Sequence, residues 1–448
     1  VAGRRQRIMN ASFRRVACLV ALLAGGGARL TAEADAAQAM ALARDGAAAA
    51  DAKDFPTYLS KMEAAAALRP DYPRILVNLA AAQAANDRPD DAIATLNRLA
   101  ALGANSPVEK SDEFASLRDR KDFQDVAARI AANMQSQGEG DVVFTLPEMT
   151  GLLEGVAWRE KTGDFFFGDV FNRATWLRTP DKKVRRFSAE NAAFGIFGLA
   201  VDEAGGSLWA ATSAVPGMRG YTDELIGSAG LAEFDLASGA LRRMIPLQAA
   251  GDHQTHVLGD LTLAPDGTIY LPDSGASVLW RLAPGAKDLE AFVESPEFLS
   301  LQGVVATPDG SALYLSDYAD GLLRISLPAR TVHRLASPPD TTLVGLDGLV
   351  RAPNGDLIGM QNGLRPKRVV RIALDETGEN VTAVTVLESA HLNMTDPTLG
   401  CLGPDGNLFF IGIGGWSRFE GGDVGPTPPR SVPIFRTKLA GEPPKKKK

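Results

Sequence analysis

The chain has 448 residues, 45% of them hydrophobic and 23% charged, with a formal net charge of −7. That length exceeds one average domain, so two are expected in a globular protein of ordinary composition. The negative balance argues against a nucleic-acid partner, because phosphates select basic surfaces.

Five arginines, Arg4, Arg5, Arg7, Arg14 and Arg15, precede an apolar run over residues 16–24, and small residues then lead to Ala32, Ala34 and Ala36. Basic, apolar and small parts in that order predict a secretory signal peptide over residues 1–36, and hence a periplasmic or secreted protein. The apolar run is shorter than the roughly 20 residues that span a bilayer, so no stable membrane insertion is expected after signal removal. The pair Arg14 and Arg15 leaves the export route open. Cys18 would leave with the signal, and Cys401 alone cannot form an internal disulfide, so stability has to come from packing. At the other end, residues 441–448, with Lys445 to Lys448, read as a disordered basic tail.

Residues 37–137 are Ala-rich, with apolar side chains at helical spacing: Met40, Leu42 and Ala47, then Leu59, Met62 and Ala66, then Ile75, Leu79 and Ala82. Gly46, Ala65 and Pro70 stand where a tetratricopeptide repeat needs a close helix approach, a small packing residue and a helix stop. A second unit follows, with Ala80 and Ala92, and then a capping stretch with Phe114, Leu117 and Phe123. Two units fall below the usual minimum for a free-standing solenoid, so the segment is expected to lean on the rest of the chain. It serves either as a groove for a protein partner or as a stabilising extension; with no aromatic-rich concave face, the extension is favoured.

From residue 141 to residue 440 a pattern repeats. A small or acidic pair opens each copy, followed by an apolar run, a turn and a second run rich in aromatic and β-branched residues. The copies align at Glu154, Phe197, Gly259, Gln302, Asp347 and Asp396, separated, by subtraction of residue numbers, by 43, 62, 43, 45 and 49. The one long interval holds a Gly-rich insertion over residues 215–230. Turns end at Gly163, Gly206, Gly267, Gly310, Gly355 and Gly406, several as Asp-Gly or Asn-Gly, which supply the positive φ of tight hairpins. The expected fold is mainly β, a six-bladed β-propeller with an N-terminal α-helical, tetratricopeptide-like domain. The isolated strand over residues 142–146 is expected to pair with residues 432–437 and close the ring.

Within this region Glu154-Gly-Val-Ala-Trp158, Gln302-Gly303-Val304, Tyr314-Leu-Ser-Asp317, Asp347-Gly348-Leu349 and Gln361-Asn362-Gly363 resemble the family of gluconolactonases, regucalcin and luciferin-regenerating enzymes. Two thirds of the chain carries the resemblance. It implies a six-bladed propeller that hydrolyses lactones or phosphoesters with one divalent cation at the mouth of the channel. The stretch Tyr270 to Arg281 is also similar to NHL repeats, which share the fold.

In a propeller the first residues of the innermost strands gather around the central channel. Glu154, Gln302, Asp347 and Asp396 are oxygen donors at that place, which suits Ca²⁺ or Mg²⁺. The related enzymes use a Glu, two Asn and an Asp there. Glu154 and Asp347 match, Gln302 replaces one Asn, and Gly259 replaces the other with Asp260 beside it. The metal set expected from the resemblance is therefore Glu154, Asp260, Gln302 and Asp347, where Asp260 serves only if the backbone turns it inward. Asp347 would also accept the proton of the attacking water. His256, with His253 on the loop before the third copy, is a second candidate for proton transfer; His391 and Asn393 precede the sixth copy in the same way.

These residues predict an exported hydrolase opening a small-molecule lactone or ester. The alternative is a non-catalytic binding module, with the propeller loops and the helical repeats presented to a protein or glycan partner.

Overall fold

The computed structural model describes residues 35–149, 151–247, 255–416 and 430–439. The expected signal peptide over residues 1–36, except its last two residues, lies outside the described residues, as do His253 and the basic tail. No helix among those described is long and apolar enough to cross a membrane.

Among the described residues five α-helices come first: α1 (Asp35–Asp51), α2 (Phe55–Leu68), α3 (Pro73–Ala85), α4 (Pro89–Ala101) and α5 (Lys121–Ala132). Pro lies in the first turn of α2, α3 and α4, where its missing N–H costs no helical hydrogen bond. A Cβ at Gly46 would stand 2.4 Å from Met62 Cε and 3.2 Å from Lys61 Cβ, so α1 and α2 approach closely there and a larger residue would have to displace the Met62 tip. Met62, Leu76, Leu96, Phe114, Phe123 and Ile130 belong to one apolar core confined to this segment.

Six four-stranded antiparallel sheets follow, each one blade. Their inner strands are Leu153–Arg159, Gly195–Asp202, Thr262–Leu263, Leu301–Ala306, Leu349–Arg351 and Gly400–Leu402. Each inner strand ends in a turn whose glycine has positive φ, from +62° at Gly206 to +95° at Gly355, as the Asp-Gly and Asn-Gly signals require. The strand Asp141–Met149 pairs with Arg430–Thr437, matching Val142 to Phe435 and Leu146 to Val432. It is the outermost strand of the sixth blade, so the two ends of the ring are hydrogen-bonded together and the closure expected from the sequence is present.

Because successive strands run antiparallel, the starts of the inner strands, the turns between second and third strands, and the ends of the fourth strands all lie on one face. The helical segment docks on that face, at the fourth and fifth blades. Arg69, buried at the end of α2, donates to Asp320 Oδ1 at 2.6 Å and to the Asp320 carbonyl at 3.1 Å, in the turn after the strand Ala312–Asp317. Asp71 accepts from Arg69 and from Ser337, which follows the fourth strand of the same blade.

Candidate active site

Register around the axis depends on which side chain follows each ring position. After Glu154, Phe197, Gln302 and Asp347 comes a glycine, and a Cβ there would collide with the neighbouring blade: at Gly155 it would stand 2.0 Å from the Phe197 carbonyl oxygen, and at Gly303 2.6 Å from the Asp347 carbonyl oxygen. The inner strands thus pack nearly backbone to backbone. In the third blade the order is exchanged, Gly259 at the ring and Asp260 in the crevice, so the Asp260 carboxylate sits against Gly198 of the second blade and accepts from Val304 N of the fourth at 3.2 Å. Asp260 therefore occupies the crevice between the inner strands, one residue past the ring position rather than on it.

The sixth blade departs from the alignment read in the sequence. Val156 faces Phe167, two residues after the start of the apolar run at Phe165, and the corresponding pair in the sixth blade is Gly400 with Phe410. Thr398, not Asp396, is therefore the equivalent of Glu154, and its hydroxyl donates to the Glu154 carbonyl at 3.0 Å. Asp396 lies two residues earlier, where its Oδ2 accepts from the backbone N–H groups of Gly415 and Trp416 at 3.1 and 2.8 Å. The extra residues of the preceding loop carry it outward from the ring register.

Four carboxylates nevertheless act on one another. Glu154 is buried, and its pKa lies well above the usual range: loss of water comes first, then the negative charge of Asp347, with Asp396 and Asp260 adding to it against the indole N–H of Trp416, which donates to Glu154 Oε2 at 2.5 Å. Burial pushes Asp347 up to about 7; the Asn362 amide, donating to its Oδ2 at 2.6 Å, and the Lys367 charge pull the other way, while Asp396 adds to the rise. Asp260 is likewise pushed up to about 7, by burial and secondarily by Asp347, against backbone donors of Leu261 and Val304. Below them the inner strands line a channel of about 530 Å³, with Asp260, Leu349 and Cys401 among its walls.

Gln302 donates from Nε2 to Ser300 Oγ at 3.1 Å, and its Oε1 would be 4.0 Å from a Cβ at Gly259, so its amide oxygen leans toward the blade that supplies no ring side chain. Oxygen donors with excess negative charge suit a hard cation in chemistry. Among the described residues, however, no three acidic, histidine or cysteine side chains gather closely enough to hold one ion.

The structure takes His256 to a different setting. It is buried, with Nδ1 2.6 Å from Asp273 Oδ2 and its ring edge-on to Trp280. Asp273 also accepts from Val257 N and from Trp280 Nε1. The same device recurs at Asp169, which accepts from Asn172 N and Trp176 Nε1, and both aspartates stand at the end of a second strand, seven residues before their tryptophan. His256 therefore shares a carboxylate that caps the turn of its blade. His391 packs edge-on against Phe435 and accepts from Asn393 N.

Trp416, Asn362 and Lys367 were not singled out as site residues by their sequence. Asn362 lies in the Gln361-Asn362-Gly363 motif, which was a usable signal; Trp416 has only the preceding Gly414-Gly415 pair, which permits the tight path that brings the backbone N–H groups of Gly415 and Trp416 to Asp396 and the indole N–H to Glu154.

No family model matches the chain, and no curated protein does. Among solved structures it is similar to a gluconolactonase of Xanthomonas campestris, with 18% identity and a TM-score of 0.44 over 65% of this chain and 88% of that one. It is also similar to the calcium-binding protein regucalcin of Agrobacterium tumefaciens, with 16% identity and a TM-score of 0.45 over 65% and 90%. A third likeness is to virginiamycin B lyase of Staphylococcus aureus, with 11% identity and a TM-score of 0.45 over 67% and 100%. The likeness read from the sequence motifs recurs here, at levels that leave the chemistry to the site itself.

Proposed function

We propose that the channel mouth is a hydrolytic site that opens a sugar-lactone-like or related ester. The observation that carries this reading is the set of carboxylates Glu154, Asp260, Asp347 and Asp396, the first buried and the others half-buried, brought from four blades to within reach of one another's charge. Like charges removed from water are costly, and such clusters mark places where a protein binds a cation or moves a proton.

Asp347 has the features of a general base. Its carboxyl is pushed up to about 7, close to the pH at which a base is both ionised and able to take a proton. Asn362 holds Oδ2, while Oδ1 receives no hydrogen bond from the described residues. Water gives a proton to Asp347 Oδ1 as its oxygen bonds to the lactone carbonyl carbon. The ring C–O bond then breaks and the departing alcohol oxygen takes that proton, leaving a hydroxy acid. Trp416 fixes the Glu154 carboxylate at the rim. A divalent cation, Ca²⁺ or Mg²⁺, would be held by Glu154 and Asp347 with the Gln302 amide oxygen and Asp260 beside them. When bound it would polarise the substrate carbonyl. Action in the periplasm or outside the cell belongs to the same reading and rests on the N-terminal residue order.

The test is a panel of sugar lactones with and without Ca²⁺ or Mg²⁺. Wild-type protein should open at least one, and Asp347→Asn should lower the rate on the order of a hundredfold, the low end for a lost acid–base group. Absence of both cation binding and lactone opening would favour the second reading, a binding module for a protein or glycan. That reading is supported by Phe197, Gly259 and Thr398, which leave three of the six ring positions without a carboxylate or amide, and by the lack of a three-ligand acidic cluster among the described residues.

A further inference from the structure

Both polar partners of Asp347 come from one turn of the fifth blade, between the strands Leu357–Gln361 and Arg368–Leu374. Asn362 donates to Asp347 Oδ2 and to the Pro397 carbonyl. Lys367 donates from Nζ to the Asn362 carbonyl, and its charge acts on Asp347. This turn is fastened from outside the propeller. Asn105 N, in the connection that follows α4, donates to the Arg365 carbonyl at 2.6 Å. Arg368 Nη1 donates to the Leu102 carbonyl at 3.1 Å, and its Nε donates to Gln361 Oε1 at 2.6 Å. Gln361 in turn holds the carbonyls of Thr342 and Val344, on the chain leading into Asp347.

Arg368 is unusual among the charges of this interface. It is only 5% exposed, and its hydrogen bonds go to neutral oxygens, whereas Arg69 on the fourth blade meets Asp320 and Asp71. A guanidinium buried without a carboxylate is costly, and hydrophobic packing of equal volume would stabilise the docking as well. What the guanidinium adds is direction: two donors span from the helical connection to Gln361, next to the residue that orients Asp347. The helical connection is itself braced, since Asn105 Nδ2 donates to the Ile130 carbonyl and Asn133 Nδ2 to those of Ala100 and Ala104.

We infer that the helical segment is a working part of the channel-mouth site: its residues 102–105 set the turn that carries Asn362 and Lys367, with Arg368 as the positioning residue that links the two. The effect on turnover rests on the hydrolytic reading above; the anchoring does not.

The experiment uses the full chain with Arg368→Ala and Arg368→Lys. Hydrogen exchange of residues 361–368 is read alongside kcat and KM on the best lactone. In Arg368→Ala, exchange in that turn should rise about tenfold or more, as expected when a local fastening is lost, with no change in the first three blades. Turnover should fall about tenfold with KM within about twofold, because a displaced Asn362 misorients the base without removing it. Arg368→Lys, which keeps the charge but not the fork, should recover part of both. If Arg368→Ala fails to fold, Gly103→Ala carries the same test, since its Cβ would stand 2.9 Å from Arg368 Nη1 and displace the guanidinium. Unchanged exchange in residues 361–368 overturns the inference, and so does a loosened turn with wild-type kcat. If the wild type opens no lactone, the hydrolytic reading falls and the exchange result alone decides the anchoring.

Discussion

The raised carboxyl groups of Asp260 and Asp347 have a consequence for stability that is separate from any reaction. A carboxyl whose folded pKa exceeds its unfolded value, about 3.9 for Asp, holds its proton better in the folded state. Its contribution is therefore full below about pH 4 and is lost as pH rises to about 7, the value to which both groups are pushed. In chelator, the wild-type melting temperature should fall between pH 5 and 7.5 and then level. Asp347→Asn should flatten that fall and be relatively more stable at pH 8 than at pH 5.5. A wild-type profile that rises across the window would show that the carboxylates are better solvated than their burial implies. At this scale the sequence disclosed the ring positions of Glu154 and Asp347, because each precedes a glycine and an apolar run. It misled at Asp396 because acidic type was matched ahead of register. Counting back eight or nine residues from each turn glycine reaches Glu154, Phe197, Gly259, Gln302 and Asp347, and in the sixth blade it reaches Thr398. Trp416 and Lys367 were not legible in this way, since they reach the site from turns whose path no local pattern specifies.

Strands and turns are the most legible level, because runs of apolar, aromatic and β-branched residues and Asp-Gly punctuation are local signals that tertiary contacts here reinforce. The glycines nevertheless serve two physical purposes, and substitutions can separate them. Gly310 has φ +67° and open space around its Cβ position, so Gly310→Ala should cost only the left-handed backbone penalty, about 1–2 kcal/mol. Gly155 has no positive φ, yet a Cβ there would stand 2.0 Å from the Phe197 carbonyl oxygen, so Gly155→Ala must separate the first and second blades. Its cost should be at or above the upper end of overpacking, about 3 kcal/mol. Denaturant melts of the two variants give the comparison; a smaller effect at Gly155 would mean that the inner strands can part without loss. The sequence contains the exchange of Gly259 and Asp260 plainly, but its meaning depends on knowing that the second position faces the neighbouring blade.

For the whole molecule, the sequence separated helices from blades but contained no sign of which face the helices cover, because the contacts join residues as distant as Arg69 and Asp320, or Leu102 and Arg368. Those contacts set two expectations. Arg69→Ala leaves Asp320 buried with Arg334 as its remaining cationic partner. Breaking a buried pair costs about 3–5 kcal/mol when nothing replaces the lost charge, so with Arg334 in place the loss should fall toward the lower value.

Removal of residues 1–137 tests how far the two parts depend on each other. The helical core contains no propeller side chain, and the closing strand Asp141–Met149 remains in the shortened chain. The propeller should therefore keep one cooperative transition. It should melt at a lower temperature than the full chain, because Arg368 loses the Leu102 carbonyl and Asp320 loses Arg69. The loss should exceed that of Arg69→Ala alone, since the two contacts lie on different blades and their effects are expected to add. Calorimetry of the full chain, the Arg69→Ala variant and the truncated chain orders the three. A truncated propeller as stable as the full chain would mean that the docking face contributes nothing to the ring, while loss of any cooperative transition would make the helices part of a single folding unit with the blades.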